Sequence, residues 1–526
     1  MIVQKNEAGR LCKEWISRME LELEKTQMSG FDEVLDTTVF REETMEMIVP
    51  DACPDILRIV ETEGTACLRT REVGDGRVEV SGAVEAAVLY LPDGETGMRH
   101  LEVNIPFACT VESGEVGASC AVVAAVRVRG ADARAVNPRK ILVRVEAAVD
   151  VQVFAPVSDE LCQRIQTDGQ DGVQQLTETQ EVYVTACVEE KPFPFSDEIA
   201  LSASRPAAAE LLKSRIDLVC NESKIIGNKL IFKASANVQL LYRGEDAGLY
   251  SAGYELPLSQ IMEVTGVGEG AECELSLDLT GRTCALVAGG EGRAVSVDLE
   301  ILAQAVVREG RTFTLLTDAY STKTPVAAER TPCRLARRVD MGVRSQPGRE
   351  VWECVPPARD VVDCALELGQ VSRVREGEKW ILTAEAALCV LYVGDDGESY
   401  AARKTVSVPC TLEGPENCLC VCRCQTAGDV YASAAAGGLE VRFTLDFRYL
   451  ALDHREVLGV SALHPVEEPE RTGEQPSLVL RTLEPGERLW DVAKAYRTTV
   501  DDVMSANELE EESAARGRLL LIPRKR

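Results

Sequence analysis

The chain has 526 residues, 45% of them apolar and 27% charged, a composition that fits several folded domains and excludes a disordered polymer. Its formal charge of −29 excludes nucleic acid and anionic lipid as partners, since binding to phosphate is driven by Lys and Arg. The N-terminus lacks the apolar core of a signal peptide, and no stretch reaches the ~20 apolar residues of a spanning helix. No membrane insertion is expected, and the protein is expected to stay in the cytoplasm.

Residues 1–34 read as a leader with a helix between Glu7 and Gln27. One pattern then occurs three times. Arg77-Val-Glu-Val-Ser-Gly-Ala-Val-Glu-Ala-Ala-Val-Leu-Tyr90 aligns with Lys229–Tyr242 and with Lys379–Tyr392. Pro54, Pro206 and Pro356 precede these tyrosines by the same interval. Each tyrosine is followed by a Gly/Asp turn and then an apolar-Pro step, at Ile105-Pro106, Leu256-Pro257 and Val408-Pro409. Each copy closes on a long alternating run: Ile141 to Val153, Val295 to Ala303, and Val441 to Phe447. Period two in side-chain direction makes these strands with one apolar face. The chain is therefore expected to be mainly β, with three tandem antiparallel sandwich-like repeats over 35–162, 176–325 and 332–463. Helix is expected to be minor, over Asp55–Thr62 and Ala207–Lys213. Gln163–Gln175 reads as a loop between the first two repeats, a further boundary falls near Thr322–Thr331, and residues 464–477, with Pro465, Pro469 and Pro476 among glutamates, read as a semi-rigid linker.

Nineteen cysteines without a secretion signal read as reduced thiols acting as small hydrophobes. Cys418-Leu-Cys420-Val-Cys422-Arg-Cys424 places four sulfurs on one strand face, where ~7 Å steps converge poorly on a tetrahedral metal. A buried apolar face is the expected reading there, with a metal or redox role as the lesser alternative. The three histidines, His100, His454 and His464, are scattered, and Gly266-Val-Gly268-Glu-Gly270 lacks the Lys and Ser/Thr of a phosphate loop. No metal, cofactor or catalytic residue is expected, and the protein is read as a non-enzyme.

Residues 478–524 read as a small α/β module. A strand over Leu478–Leu483 turns at Pro485-Gly486. Leu489, Val492, Ala493 and Tyr496 recur at helical spacing, a second helix covers Val500–Asn507, and Leu519–Ile522 pairs back, giving βααβ. So small a core is thin, and Trp490 is expected to supply much of it. Pro485-Gly486-Glu487-Arg488-Leu489-Trp490, Val492-Ala493, Tyr496, Ala506-Asn507, Gly517 and Leu521-Ile522-Pro523 resemble the LysM domain. That resemblance implies a groove for N-acetylglucosamine polymers between Gly486–Leu489 and Asn507–Ala514. Here Glu487-Arg488 replaces the usual Asp-Thr, Arg497 replaces a glycine, and the apolar residue and proline before the last strand give way to Ala514 or Ala515 and Arg516. These changes shift the groove toward a protein surface.

In the body, Val49-Pro-Asp-Ala-Cys-Pro-Asp-Ile-Leu-Arg-Ile-Val60 resembles the SPOCS domain, and Asp318-Ala-Tyr-Ser-Thr322 is similar to the same family. SPOCS repeats before a LysM module resemble the SipL-type spore-coat morphogenetic proteins. The resemblance implies a mother-cell cytoplasmic scaffold at the forespore surface, part of the spore coat, docking through its LysM module onto the coat's basement-layer ATPase or other spore-coat proteins. The partner-binding residues it implies are Gly486, Glu487, Arg488, Leu489, Asn507 and Leu509. The alternative is a peptidoglycan binder acting at the cell wall or cortex.

Overall fold

The computed structural model of the protein describes residues 22–166, 172–414, 418–466 and 478–523. The body is three copies of one six-strand unit. Unit 1 comprises β1 (Leu23–Ile48), β2 (Ile56–Gly74), β3 (Arg77–Pro92), β4 (Arg99–Glu112), β5 (Ala121–Asn137) and β6 (Lys140–Ile165). Unit 2 repeats the order as β7 (Val173–Ala200), β8 (Ala208–Ile226), β9 (Lys229–Gly244), β10 (Leu249–Glu263), β11 (Glu272–Leu286) and β12 (Ala294–Ser321). Unit 3 runs β13 (Val326–Glu353), β14 (Ala358–Glu376), β15 (Lys379–Gly394), β16 (Ser399–Glu413), β17 (Cys418–Thr426), β18 (Tyr431–Ala435) and β19 (Gly438–Pro465), its fifth strand broken in two.

In each unit the second, third and fourth strands form a meander, β2-β3-β4, β8-β9-β10 or β14-β15-β16. The first and last strands, though far apart in the chain, pair antiparallel as a long hairpin-shaped ribbon, to whose last strand the fifth strand adds. The two layers face one another, and the alternating runs point between them. Ile141, Val143 and Val145 join Val80, Val84 and Val88 in one core, and equivalent sets fill units 2 and 3. The prolines of the apolar-Pro steps lie on the outer strands of the meanders, opposite Ala83, Ser235 and Thr383. There a missing N–H costs no ladder bond. Pro192, Pro194 and Pro347 sit likewise on the outer strands of the long hairpins.

Two helices read from the sequence are strands. Asp55–Thr62 lies largely in β2, and Ala207–Lys213 largely in β8. Both pair with the tyrosine-bearing strand, Ile59 opposite Tyr90 and Leu211 opposite Tyr242, and this pairing overrides a run too short to show its own period. The leader is corrected in part: from Leu23 onward it is β1, while residues 1–21 lie outside the described residues. Against the expected 35–162, 176–325 and 332–463, the strands of the three units run over Leu23–Ile165, Val173–Ser321 and Val326–Pro465. Most of the linker 464–477 also lies outside the described residues.

The units close on one another as a ring. β4 of unit 1 lies against β8 of unit 2, β10 against β14 of unit 3, and β16 back against β2. At its centre equivalent residues converge. Leu89, Leu241 and Leu391, each beside a repeat tyrosine, are wholly buried in one cluster with Val60, Leu212 and Val362. The last three sit where each β-ladder shifts register, between Ile59/Glu61, Leu211/Lys213 and Val361/Asp363. A bulge at the same place in every unit thus re-aims one side chain at a pseudo-threefold axis.

The next residues on that axis are Glu61, Lys213 and Asp363, again equivalent but chemically different. Lys213 Nζ lies 2.7 Å from Glu61, 2.6 Å from Glu63 and 2.8 Å from Asp363, and all four are buried. Arg215 adds a contact of 3.2 Å to Glu63 and donates to the Cys364 carbonyl at 2.8 Å. Burial lowers the pKa of Lys213, yet the three carboxylates outweigh it and hold the group well above the usual lysine value. Burial likewise pushes Glu63 up, but Lys213 and Arg215 outweigh it and bring the carboxyl down to about 2. Burial prevails at Glu61, whose carboxyl stays above its ordinary value.

Further polar contacts tie neighbours together. The Gln304 side chain of unit 2 donates to the Ala124 carbonyl of unit 1 at 2.8 Å and accepts from the Ala124 N–H at 3.0 Å. Arg58 of unit 1 donates to the Ser399 carbonyl at 2.8 Å and covers the Tyr400 ring at 4.7 Å. β1 touches β7 at Phe31 opposite Thr185. Gly30 permits this approach, since a Cβ there would lie 2.9 Å from the Thr185 carbonyl oxygen.

Away from the sandwiches the three long hairpins pack together as a stalk. Each shifts register at an equivalent residue: Gln163, Thr317 and Ser461. Cys162, Leu316 and Val460, just before these, form one cluster with Ile165, Ala319 and Leu463, just after. The free end of this stalk carries the C-terminal module.

Candidate functional site in the C-terminal module and its seat

The module folds as β20 (Leu478–Thr482), α1 (Leu489–Tyr496), α2 (Val500–Ala506), a 3-10 turn over Glu512–Ala515, and β21 (Leu519–Pro523). β20 and β21 pair antiparallel with Leu480 opposite Leu521, so the βααβ order read from the sequence is present. Thr499 caps α2 by accepting from the Asp502 N–H at 3.0 Å. The core is Leu489, Val492, Val503, Leu509, Ala515, Leu520 and Ile522.

Trp490 is not in that core. It is buried instead in a second cluster with Ala493 and Tyr320, the latter from the stalk end of β12. The two rings meet edge to face, centroids 4.8 Å apart. The indole N–H donates to Asp318 Oδ2 at 2.8 Å, and Lys494, one turn later on α1, reaches both oxygens of Asp318 at 2.7 and 2.8 Å. Arg330 of β13 contacts the same carboxylate at 2.5 Å. Tyr320 donates its hydroxyl to the Thr498 carbonyl at 2.7 Å. Burial would raise the carboxyl of Asp318, but Lys494, Trp490 and Arg330 prevail and hold it below its ordinary range. The sequence reading gave Trp490 to the module's interior. A helical apolar residue can face its own domain or a neighbour, and spacing alone does not choose between them.

The six residues singled out in the sequence fall into three groups. Leu489 and Leu509 are interior, filling the module's core. Asn507 is a brace: it donates to the Val503 and Leu521 carbonyls and accepts from the Leu521 N–H, all at 2.7 Å. Glu487 accepts from Arg481 at 2.7 and 2.9 Å and from the Glu484 N–H at 3.0 Å, shaping the loop. Gly486 and Arg488 are exposed. Gly486 has a φ of +87°, which glycine alone adopts freely. Arg488 starts α1, its N–H bonded to Asp491 at 2.9 Å and its guanidinium 3.9 Å from Glu178 of the stalk. The loop of the expected groove thus lies beside the body. The repeats of the body gave no sequence signal of that placement.

The other motifs also find places. Cys420 and Cys422 lie in the core of unit 3. Burial lifts their thiols to about 11 and about 12, so the nucleophilic thiolate is disfavoured. Among the described residues no group of His, Cys, Asp and Glu is arranged to hold a metal ion, and no helix is long and apolar enough to cross a membrane. His100 lies 2.9 Å from Glu210 across the junction of units 1 and 2. The Pro50–Asp55 loop wraps Arg139, which donates to the carbonyls of Val49 (2.9 Å), Pro50 (3.0 Å) and Cys53 (2.7 Å) and pairs with Asp55 (3.1 Å). In unit 2 Arg293 does the same for Ser202 and Arg205, at 3.1 and 2.6 Å.

The family model described as SipL, SPOCS domain matches residues 55–136 and 207–287. These stretches run from β2 to β5 and from β8 to β11, one in each of the first two units. The chain is a SPOCS-containing protein of the SipL type. The SPOCS domain marks it as sporulation-related. Unit 3 lies outside the matched residues, yet it has the same strand order and the same bulges as the two SPOCS units. No curated protein and no solved structure matches the chain.

Proposed function

We propose that this chain is a non-enzymatic scaffold of spore-coat assembly, working in the mother cell at the forespore surface, with a LysM-type C-terminal module that docks onto a basement-layer protein of the coat. The observation that carries this reading is the pairing of SipL-type SPOCS units with a βααβ module that shows Gly486 and Arg488 at its surface. A closed ring of sandwiches supplies a stiff platform, and the module offers a charged loop rather than a flat apolar one. The peptidoglycan reading is less well supported, because Trp490, the largest flat ring of the module, is engaged by Tyr320 and Asp318.

The test is co-precipitation of the coat's basement-layer ATPase with the full chain. Arg488→Glu is expected to reduce capture at least about tenfold, the effect of reversing one charge at a contact, with an unchanged melting curve. Undiminished capture, or retention of the full chain on insoluble peptidoglycan, would count against the proposal.

A further inference from the structure

The three stalk hairpins provide an internal control for the seat of the module. Counted from the equivalent register shifts at Gln163, Thr317 and Ser461, the position of Asp318 is Arg164 in unit 1 and Ala462 in unit 3. The position of Tyr320 is Gln166 in unit 1 and His464 in unit 3. Only unit 2 offers a carboxylate followed two residues on by an aromatic ring. The module is tethered to the end of β19, which belongs to unit 3, so tether length alone would favour the hairpin of unit 3. It sits instead on unit 2.

The complementarity is specific. On α1, Trp490 and Lys494 are one turn apart and share a face, and both find Asp318. Leu176 and Val500 pack at the margin of the Tyr320–Trp490 pair. Arg330 reaches the same carboxylate from unit 3, so units 2 and 3 both contribute to the seat. A contact held merely by the tether would not bury a carboxylate to 4% exposure and satisfy it from two sides.

We propose that the end of the stalk is a built-in receptor whose ligand is the C-terminal module of the same chain, with Asp318 as the residue that selects it. The seat reads an indole N–H and an ammonium group one helical turn apart. It fixes the face that the module turns outward, whatever the module binds there.

The experiment uses the full chain with a specific protease site placed between Pro469 and Pro476. After cleavage, the C-terminal piece that carries the module is expected to co-elute with the body in size-exclusion chromatography at micromolar concentration. Asp318→Ala is expected to weaken the association by at least about tenfold, as expected for a lost charge-assisted hydrogen bond, so that the pieces separate. Where Asp318→Ala does not fold, Lys494→Ala decides in its place, since it alters no residue of the body. Separation of the wild-type pieces overturns the proposal, and so does undiminished co-elution of the deciding variant.

Discussion

Lys213 on the axis and Lys494 in the seat are both lysines held by buried carboxylates, but their surroundings differ. Glu61, Glu63 and Asp363 around Lys213 come from strands fixed in two meanders, while Lys213 itself belongs to a third. If the lysine is removed, the carboxylates cannot reach water unless the ring opens. Lys494 meets Asp318 across a surface made of side chains, and departure of the module returns both groups to solvent. The same ion pair therefore secures folding in one place and docking in the other. What decides is whether the backbone can move away from the charge.

Substitutions can break or sharpen this contrast. Lys213→Met is expected to cost the most, about 3–5 kcal/mol, because it takes the cation from Glu61 and leaves Arg215 alone to serve Glu63 and Asp363. The loss should appear as a lowered urea midpoint of the body, and a midpoint equal to wild type would show that the axis is open to water. Leu241→Ala, on the same axis, is expected to cost about 2–5 kcal/mol through the cavity it leaves. Leu89→Ala and Leu391→Ala should fall in that range too, and a loss confined to one of the three would break the pseudo-symmetry. Tyr320→Phe removes only the hydroxyl that serves the Thr498 carbonyl and is expected to cost about 1 kcal/mol. That loss should speed amide exchange in α1 and leave the urea midpoint of the body unchanged. A falling midpoint would mean that seat and ring are one cooperative unit.

The last strand of each unit could be read directly, because Ile141 to Val153 and its two counterparts alternate over long runs. The tyrosine and proline intervals likewise showed three copies. The short runs were harder. Asp55–Thr62 carries Ile56, Leu57, Ile59 and Val60, a pattern that fits a helical stripe as well as a bulged strand, and only its partner Tyr90 settles the choice. Ring closure depends on contacts between units, which no period within a unit encodes. One trace of it lay in the sequence nonetheless. Aligning the repeats puts Glu61, Lys213 and Asp363 in one column, and opposite charges at one repeat position signal a site where copies meet. In the module the order of elements was legible. The roles of its residues were less so: Leu489 and Leu509 face inward, Asn507 braces two segments, and Trp490 belongs to the seat.

Pro106, Pro257 and Pro409 on the meanders, with Pro192, Pro194 and Pro347 on the long hairpins, bear on how many such chains could coexist in a dense layer. A bare sheet margin at high local concentration recruits its own copies into continuous ribbons. Proline on these margins withholds the donor that such zipping needs. Crowded chains are thereby kept as discrete blocks, and lateral cohesion between them is left to side chains and loops, which can distinguish one neighbour from another.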